Sequence, residues 1–297
     1  AAETGRMHPN WNQVKNARND KDLSGTKTGR LSCDHPNFQN PSNEFTLEVP
    51  PGYPELPLVR RYIVPDEGMV WIKRDYSQQE LRVLAHFAEG AMLDQYQAAP
   101  RTDFHSLAAE MIKEATGIKM ERKMVKIIAF SILYGSGAAA MAAQMGCDIA
   151  EAQSLKKVYL ETFPGIKSLS KDLSARGKAG ESMRTWGGRV YYSEPPSISK
   201  KTGRMQEYHY KLLNYLIQGS SADCTKEAVI AYEDTYKKHG RFLLTVHDEL
   251  DICAPVEHAE SEMKALNAAM ESPKFDVPMM SDGFIGPNWF DLESYHV

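Results

Sequence analysis

The spacing of apolar residues predicts sheet-forming segments towards both ends of the chain and helices between them. Residues 69–75 begin with an apolar run of strand-forming residues, and residues 77–89 repeat their apolar positions at helical spacing. The helical spacing recurs in the segments 103–115, 119–145, 150–163 and 206–236. This order predicts an α+β fold in which a helical subdomain is inserted into a domain with a mixed or antiparallel sheet.

Glycine and proline mark the expected breaks between these elements. Gly135-Ser-Gly137 interrupts the helix of 119–145, and Pro164-Gly165 is expected to end the helix of 150–163. The first 60 residues are rich in Asn, Gly, Pro and Ser, so this region is expected to consist of loops pinned by short elements.

The last quarter of the chain contains a hairpin signal. Segments 241–246 and 249–253 are short alternating strands on either side of His247-Asp248. A helix from about 256 to 270 is expected to follow, and the chain then ends in an extended tail.

Composition places the chain among ordinary soluble globular proteins. It has 297 residues, of which 42% are hydrophobic and 25% charged. No apolar stretch approaches the roughly 20 residues that a membrane span needs, so no membrane partner is expected. The four scattered cysteines form no CxxC pair, which disfavours a zinc site and fits a cytoplasmic or nucleoid location in a bacterial or phage-infected cell.

The net charge of −4 is unevenly distributed. Residues 167–204 contain nine Lys or Arg against three acids, whereas residues 245–297 contain two Lys against eleven acids. Such runs are usually solvated faces, but a basic track beside an acidic half also suits a nucleic-acid-binding protein with a metal site.

Asp75 lies at the end of the first predicted strand, where a side chain is held rigidly. The following Ser77-Gln-Gln-Glu80 fits a helix capping box, and the local pattern by itself favours that interpretation. The capping box does not explain a carboxylate at the end of an apolar strand.

Asp248-Glu249 lies 173 positions later, at the tip of the predicted hairpin. Acids at such tips are usually solvated turn residues. If the two strands are neighbours in one sheet, however, Asp75 and Asp248 converge. Two carboxylates leave open positions on Mg²⁺ for phosphate oxygens, and two metals about 4 Å apart can activate an attacking hydroxyl.

A stripe of four residues recurs at intervals of four within one predicted helix: Arg122, Lys126, Phe130 and Tyr134. Intervals of four keep all of them on one broad helical face. Aromatic residues at this spacing more often belong to a core, but Arg and Lys rarely join an apolar face without an anionic partner. A triphosphate beside the cations, with a sugar or base against the aromatics, satisfies both halves of the stripe.

Five motifs occur in a recognisable order along essentially the whole chain. They are Thr28-Gly-Arg-Leu-Ser32 with Pro36-Asn-Phe-Gln-Asn40, Asp75-Tyr-Ser-Gln-Gln-Glu-Leu-Arg82, the Arg122/Lys126/Phe130/Tyr134-Gly135 helix, Gln218-Gly219 and Val246-His-Asp-Glu-Leu250. In this order they resemble family A DNA polymerases, the bacterial DNA polymerase I type. The resemblance implies template-directed transfer of dNTPs to a primer 3′-OH.

The resemblance also implies a metal centre. Asp75 and Asp248, with the carbonyl of Tyr76, would hold two Mg²⁺ ions, for which Mn²⁺ would substitute. Glu249 would lie beside these ligands in the catalytic group without necessarily binding metal. Lys126 would serve as the acid for the departing pyrophosphate.

Several residues would bind the incoming nucleotide if the resemblance holds. They are Gln78, Glu80, His105, Arg122, Lys126, Phe130 and Tyr134. Glu80 would pack near Tyr134 and be the steric gate that excludes a ribose 2′-OH. Phe130 would pack on the sugar, and Tyr134 would hold the position of the template base.

Primer–template DNA is the macromolecular partner that the resemblance implies. Arg30, Asn214, Gln218 and His247 would contact it near the primer terminus, partly in the minor groove. The family's thumb and any proofreading exonuclease would precede this chain, on the same polypeptide or another.

The same resemblance divides the chain into a palm at 1–88 and 205–297 and fingers at 89–204. The chain departs from the family pattern at Gln79, at Lys73-Arg74 and at Tyr210, which gives it a more phage-like character. The remaining alternatives are a single-subunit RNA polymerase and a non-catalytic DNA-binding replisome module.

Overall fold

The computed structural model describes residues 4–15, 25–42, 52, 58–199 and 203–295. The strands in these ranges are β1 Asn10–Asn12, β2 Ser32–Asp34, β3 Met69–Tyr76, β4 Met183–Arg184, β5 Val190–Tyr191, β6 Ser197–Ile198, β7 Met205–Gln206, β8 Arg241–Val246, β9 Glu249–Pro255, β10 Ser281–Gly286 and β11 Glu293–Tyr295. The α-helices are α1 Gln79–Ala88, α2 Ala91–Ala98, α3 Phe104–Thr116, α4 Arg122–Leu133, α5 Ala138–Met145, α6 Ile149–Thr162, α7 Pro164–Lys178, α8 Lys211–Ala231 and α9 Ala259–Glu271. Short 3₁₀-helices occupy Val59–Tyr62 and Val256–His258, and π-helical turns continue α8 over Tyr232–Tyr236. None of these helices is long and apolar enough to cross a membrane.

The chain divides into two compact units. Unit 1 contains Ala1–Gln79, Ala222–Lys274 and Met279–Val297, and unit 2 contains Glu80–Ser221 and Phe275–Pro278. These bounds differ from 88/89 and 204/205 because apolar side chains of α1 and of the first half of α8 belong to the helical core of unit 2. The names palm and fingers stay a prediction.

Unit 1 is built on a five-stranded sheet in the order β11-β10-β3-β9-β8. Every neighbouring pair is antiparallel, so β3 is hydrogen-bonded on both of its edges. The predicted strand at 69–75 and the predicted hairpin of β8 and β9 are both confirmed. The segment expected to be an extended tail is not a tail, because Ser281–Gly286 joins the sheet as β10 beside β3. The pairing partners are about 200 positions apart, so local pattern could not reveal this.

Aromatic packing closes one side of unit 1. Trp71 and Trp289 are both buried and stack with ring centroids 5.8 Å apart, and Phe38 meets Trp289 edge-on. These rings form a core cluster with Cys33 and with apolar residues of β8. Elsewhere in the unit, α9 lies against β3 and β10 and buries its apolar stripe, which includes Met263, Leu266 and Met270. The α+β fold class is therefore confirmed.

Unit 2 is a helical assembly around one apolar core drawn from α1 to α8. The predicted interruption at Gly135 is confirmed: α4 ends at Leu133, and Gly135 has a φ of 65° in the left-handed region that glycine tolerates. The predicted end of the helix of 150–163 at Pro164-Gly165 is confirmed, because α6 ends at Thr162. Pro164 is also the first residue of α7, where the missing N–H costs nothing because the first turn has no intrahelical acceptor.

Arg82 is a buried cation at the centre of unit 2, with 1% of its surface exposed. Its guanidinium donates to the carbonyl oxygens of Pro278 at 2.8 Å and Pro100 at 2.6 Å, and it lies 4.7 Å from the ring centroid of Tyr96. One side chain therefore supplies donors to two loops and a cation to a buried ring.

We expect Arg82→Met to destabilise unit 2 by about 3 kcal/mol, because two carbonyls lose charged donors and a cation–π contact is lost. Urea unfolding followed by circular dichroism would measure this change. Arg176→Met is the matched control, since Arg176 is half-exposed and makes only an i,i+4 pair with Asp172. A loss below about 1 kcal/mol in the Arg82 variant would contradict the structural role of the buried cation.

Candidate functional site

Asp75 and Asp248 are brought together by the central sheet of unit 1. Asp75 is the penultimate residue of β3 and pairs across the ladder with Glu249, the first residue of β9. The backbone N–H of Tyr76 donates to the carbonyl oxygen of Asp248 at 3.2 Å. The conditional expectation that the two aspartates converge is therefore confirmed, although they are 173 positions apart in the sequence.

The Asp75 carboxylate lies in an electrostatically unfavourable place for an anion. Its Oδ1 is buried and has no hydrogen-bond partner. Burial, together with the nearby carboxylates of Asp248 and Glu249, raises the pKa of Asp75 to about 8. A cation bound close to Asp75 would remove the free-energy cost of burying this carboxylate as an anion.

The turn that follows β3 and the turn that contains Asp248 have unusual backbone conformations. Gln78, just after β3, has a φ of 55°, and His247, in the two-residue turn between β8 and β9, has a φ of 58°. Non-glycine residues rarely adopt this left-handed region, and such strain is concentrated at functional sites. Gln78 lies three residues after Asp75, and His247 directly precedes Asp248. The strain at these two positions therefore agrees with a functional role for the turns.

Tyr76 anchors the end of β3 and was predicted as a ligand through its carbonyl. Its buried hydroxyl donates to the carbonyl oxygen of Met270 on α9 at 2.6 Å. The next residue, Ser77, donates its hydroxyl hydrogen to Asp282 at 2.5 Å. Asp282 lies directly across the ladder from Asp75 on β10. The sequence analysis missed Asp282, because it belongs to the segment that was expected to be a tail.

Glu249 is turned towards the interior of unit 1, with 8% of its side chain exposed. It forms an ion pair with Lys73, and its Oε1 accepts a hydrogen bond from the Trp289 indole at 3.2 Å. Arg60 lies 3.8 Å from the same oxygen. Lys73 and Arg60 were missed as partners of Glu249. In the sequence, only the departure of Lys73-Arg74 from the family pattern indicated a cation near Glu249.

Asp251 is a second buried acid on β9 and faces Lys73 across the ladder. The Trp71 indole donates to its Oδ1 at 2.6 Å, whereas its Oδ2 has no hydrogen-bond partner. Burial and then the charge of Glu249 raise the pKa of Asp251 well above its ordinary value.

The residues around Asp75 fit a divalent cation held by few protein ligands. Within the described ranges, no group of three or more His, Cys, Asp or Glu side chains is arranged to hold a metal. Asp75 and Asp248 form a pair of hard oxygen donors, and one buried Asp75 oxygen is without a partner. Mg²⁺ is commonly bound through one or two carboxylates, with water and substrate phosphates completing its shell.

The four-residue stripe is confirmed as a feature of α4 in unit 2. Arg122 and Lys126 are exposed, Phe130 is half-buried, and Tyr134 follows the last residue of the helix with 43% of its surface exposed. The rings of Phe130 and Tyr134 stack with centroids 5.6 Å apart and planes 9° from parallel. The opposite face of α4 enters the core through Val125, Ile128, Ala129, Ile132 and Leu133.

Arg122 already has an anionic partner on the protein. Its Nε and Nη2 donate to the two carboxylate oxygens of Asp103 at 2.5 and 3.3 Å. This fork-like contact has the geometry with which arginine also binds phosphate oxygens. Asp103 was missed in the sequence analysis, because it precedes α3 and is 19 positions from Arg122.

His105 lies on α3 next to the stripe, with its ring centroid 6.0 Å from that of Phe130. It is 4% exposed, and its Nδ1 has no hydrogen-bond partner. Burial lowers the pKa of His105 to about 4; Asp103 opposes this shift, while Arg122 and Lys126 add to it. The imidazole is therefore neutral at pH 7.

Glu80 and Tyr134 form a direct contact within unit 2. The Tyr134 hydroxyl donates to Glu80 Oε2 at 2.7 Å. The contact joins the start of α1 to the end of α4, and it fixes the Glu80 carboxylate beside the aromatic end of the stripe. The expectation that Glu80 packs near Tyr134 is confirmed, but its role as a gate stays a prediction.

The four residues predicted to contact DNA occur in two places. Arg30 and His247 line one cleft of unit 1 with a volume of about 340 Å³, together with Thr225 and Lys226. Asn214 and Gln218 are one turn apart on α8, in the part of that helix that belongs to unit 2, and both are half-buried.

Comparison with known proteins gives bacterial relatives. DNA polymerase I of Deinococcus radiodurans is 32% identical over 298 residues, which cover 98% of this chain and 29% of that protein. The thermostable DNA polymerase I of Thermus aquaticus is 31% identical over 297 residues, covering 98% of this chain and 33% of that protein. The chain thus spans about a third or less of the length of these relatives. They give no support to the phage-like character inferred from Gln79, Lys73-Arg74 and Tyr210.

A solved structure shares the fold. It is the polymerase domain of Pol1 from M. smegmatis in complex with DNA primer-template and dNTP, which is 25% identical with a TM-score of 0.78. The match covers 97% of this chain and 49% of that one. The model of DNA polymerase family A matches residues 1–291. Since that match takes in both compact units and every site residue described above, the chain belongs to DNA polymerase family A.

Proposed function

We propose that this chain is a DNA-template-directed DNA polymerase that joins a dNTP to a primer 3′-OH and releases pyrophosphate. The observation that carries the proposal is the convergence of Asp75 and Asp248 at the end of β3, with a buried Asp75 oxygen that lacks a partner. A structural role would not require two carboxylates to be placed together at a cost in electrostatic free energy. Family membership and the primer-template and dNTP bound in the related Pol1 structure support the same activity.

Unit 1 has the task of holding the metal ions. Asp75 and Asp248, with the Tyr76 carbonyl, would bind two Mg²⁺ ions, and Mn²⁺ would substitute for them. Bound ions of this kind lower the pKa of an attacking hydroxyl and neutralise charge on the leaving group. The buried β3 and the two strained turns keep the carboxylates rigid, which limits the reorganisation needed during the reaction.

Unit 2 has the task of binding the nucleotide. Arg122, Lys126 and the neutral His105 would hold the triphosphate, and Lys126 would donate a proton to the departing pyrophosphate. To bind phosphate, Arg122 must exchange its Asp103 partner for phosphate oxygens, so the fork-like contact keeps the guanidinium oriented before substrate arrives. Movement of α4 onto a correctly paired nucleotide would give fidelity by induced fit.

The aromatic end of α4 and its neighbours would select the sugar and the template base. Phe130 would pack on the sugar, Tyr134 would hold the position of the template base, and Gln78 would contact the nucleotide. Glu80, fixed by the Tyr134 hydroxyl, would occupy the space that a ribose 2′-OH needs. This role for Glu80 argues against the alternative of a single-subunit RNA polymerase.

Primer–template DNA would run along Arg30 and His247 in unit 1 and along Asn214 and Gln218 in unit 2. Contacts in the minor groove sense the shape of base pairs without reading sequence, which suits a polymerase. A thumb and an exonuclease, on the same polypeptide or another, would add to the grip on the duplex. In this proposal unit 1 is the palm and unit 2 the fingers, and the enzyme works in the cytoplasm or nucleoid.

Removal of Asp248 should abolish polymerisation. In primer extension with Mg²⁺ and dNTPs, we expect Asp248→Ala to lower the rate by about a thousandfold or more, because a metal-binding carboxylate is lost. Asp291→Asn is the matched control, since Asp291 is a surface acid of unit 1 paired with Arg61. Extension that survives Asp248→Ala would refute the metal centre, and no extension by the wild-type chain would favour the non-catalytic replisome module.

Glu80 should decide between deoxyribonucleotides and ribonucleotides. We expect Glu80→Ala to reduce the preference for dNTP over rNTP by about tenfold to a hundredfold, because the space for a 2′-OH opens. Single-nucleotide incorporation of dATP and ATP opposite template T would measure the ratio of kcat/KM. Tyr134→Phe, which removes only the hydroxyl that donates to Glu80, should have a smaller effect in the same direction. Equal use of both nucleotides by the wild type would refute the gate.

The buried neutral His105 should make unit 2 sensitive to acid. The folded-state pKa of about 4 lies below the ordinary value of about 6.5, so the neutral ring contributes stability above pH 6.5 and loses it as the pH falls through 4. We expect about 1–2 kcal/mol of unfolding free energy to be lost between pH 7.5 and pH 5 in the wild type, beyond any loss in His105→Gln. Urea unfolding at the two pH values would measure this, and equal losses in both proteins would contradict a buried neutral ring.

A further inference from the structure

One face of the central sheet in unit 1 carries an unusual density of acids. Asp75 faces Glu249 on one side and Asp282 on the other, and Asp251 faces Lys73. Residues directly opposite in antiparallel strands project to the same side, so these side chains share one face. Lys73 is the cation that β3 places among them.

Glu249 is the acid of this face that is fully supplied with donors. It has an ion pair with Lys73, a hydrogen bond from the Trp289 indole at 3.2 Å and Arg60 at 3.8 Å. These contacts use the carboxylate on the interior side of the sheet, and only 8% of the side chain is exposed. Lys73 is the partner of Oε2, while Trp289 and Arg60 are the partners of Oε1, so both oxygens of Glu249 are engaged within unit 1.

The groups that hold Glu249 are themselves fixed by packing. Arg60 is buried with its guanidinium carbon 4.0 Å from the Trp289 ring centroid, and Trp289 stacks on Trp71. Trp71 is tied in turn to Asp251 by its indole N–H at 2.6 Å. Lys73 is 16% exposed and lies 5.6 Å from the ring centroid of Phe284 on β10. A change of partner by Glu249 would therefore break several buried contacts.

We propose that Lys73 is a positioning residue of the metal centre: a built-in counter-ion that holds Glu249 out of the set of metal ligands. The inference rests on the proposed function, since it concerns the metal that Asp75 and Asp248 would bind. It goes beyond the proposed function because it assigns how many protein carboxylates bind the metal. It also identifies Lys73 as the residue that limits this number. Fewer anionic ligands and a nearby ammonium both weaken divalent-metal affinity, so Lys73 sets that affinity.

Lys73→Met tests the proposal, because methionine keeps most of the volume and removes the charge. We expect the dissociation constant for Mn²⁺, measured on the 297-residue chain by electron paramagnetic resonance of the free ion, to fall about tenfold. Trp289 and Arg60 would still hold Oε1 of Glu249, but its Oε2 would have lost its partner and would join the ligands, and the opposing positive charge would be gone. Lys73→Arg retains the charge and should bind Mn²⁺ like the wild type.

Glu249→Gln separates this proposal from a general electrostatic effect. In the wild-type background it should lower Mn²⁺ affinity by less than about tenfold, because a neighbouring charge is lost but no ligand. In Lys73→Met the added Glu249→Gln should reverse most of the tightening, because an amide replaces the released carboxylate. A loss of affinity of about tenfold or more in Glu249→Gln alone would overturn the proposal, since Glu249 would then already bind the metal.

Asp75→Asn distinguishes failure of this proposal from failure of the proposed function. If Asp75→Asn leaves Mn²⁺ binding unchanged, the metal centre itself is wrong. If Asp75→Asn abolishes binding but Lys73→Met binds Mn²⁺ like the wild type, only the role of Lys73 is wrong.

Thermal unfolding gives a second readout if Lys73→Met is too unstable without metal. Its melting temperature should then rise with Mn²⁺ by more than that of the wild type, because the ion replaces the missing counter-charge. An equal rise in the two proteins would overturn the proposal.

Discussion

The pairing of β3 with a strand on each of its edges is the constraint on which unit 1 depends. Antiparallel ladders to β9 and β10 place Asp75 between Glu249 and Asp282 and place Lys73 opposite Asp251. Because side chains alternate along a strand, a slip of one residue would turn Asp75 to the other face and bring Arg74 into its place. The burial of Trp71 and Ile72 sets the register against such a slip, so hydrophobic packing determines where the acids lie.

The charges on that face are tolerated for different reasons. Glu249 is compensated by Lys73, Arg60 and an indole N–H, while Asp251 accepts a hydrogen bond from the Trp71 indole. Asp75 is surrounded by the like charges of Asp248, Glu249 and Asp282, and one of its oxygens is buried without a partner. Leaving a buried carboxylate unpaired costs free energy, and proteins retain such a cost mainly where a ligand or a reaction removes it. A cation bound between Asp75 and Asp248 would remove that cost.

In unit 2, packing against the core orients the functional side chains of a helix, as it does for the sheet of unit 1. Val125, Ile128 and Leu133 fix the apolar side of α4 in the core, and this packing orients the opposite side. On that opposite side Arg122 pairs with Asp103, and the rings of Phe130 and Tyr134 stack on each other. A face held in this way is ready for an anionic and aromatic ligand, because its side chains are oriented by protein contacts that the ligand can replace.

Local pattern was sufficient for much of this molecule. An apolar run of strand-forming residues predicted β3, period-two alternation predicted β8 and β9, and intervals of four predicted the stripe on α4, because these signals depend only on residues a few positions apart. Family motifs then identified Asp75 and Asp248 as a pair. Tertiary structure alone decided that β10 completes the sheet, that Asp103 binds Arg122, and that the Glu249 carboxylate forms an ion pair with Lys73. Those outcomes depend on contacts between distant segments, where the free energy of burial and charge pairing is determined by the whole fold and has no signature in the neighbouring sequence.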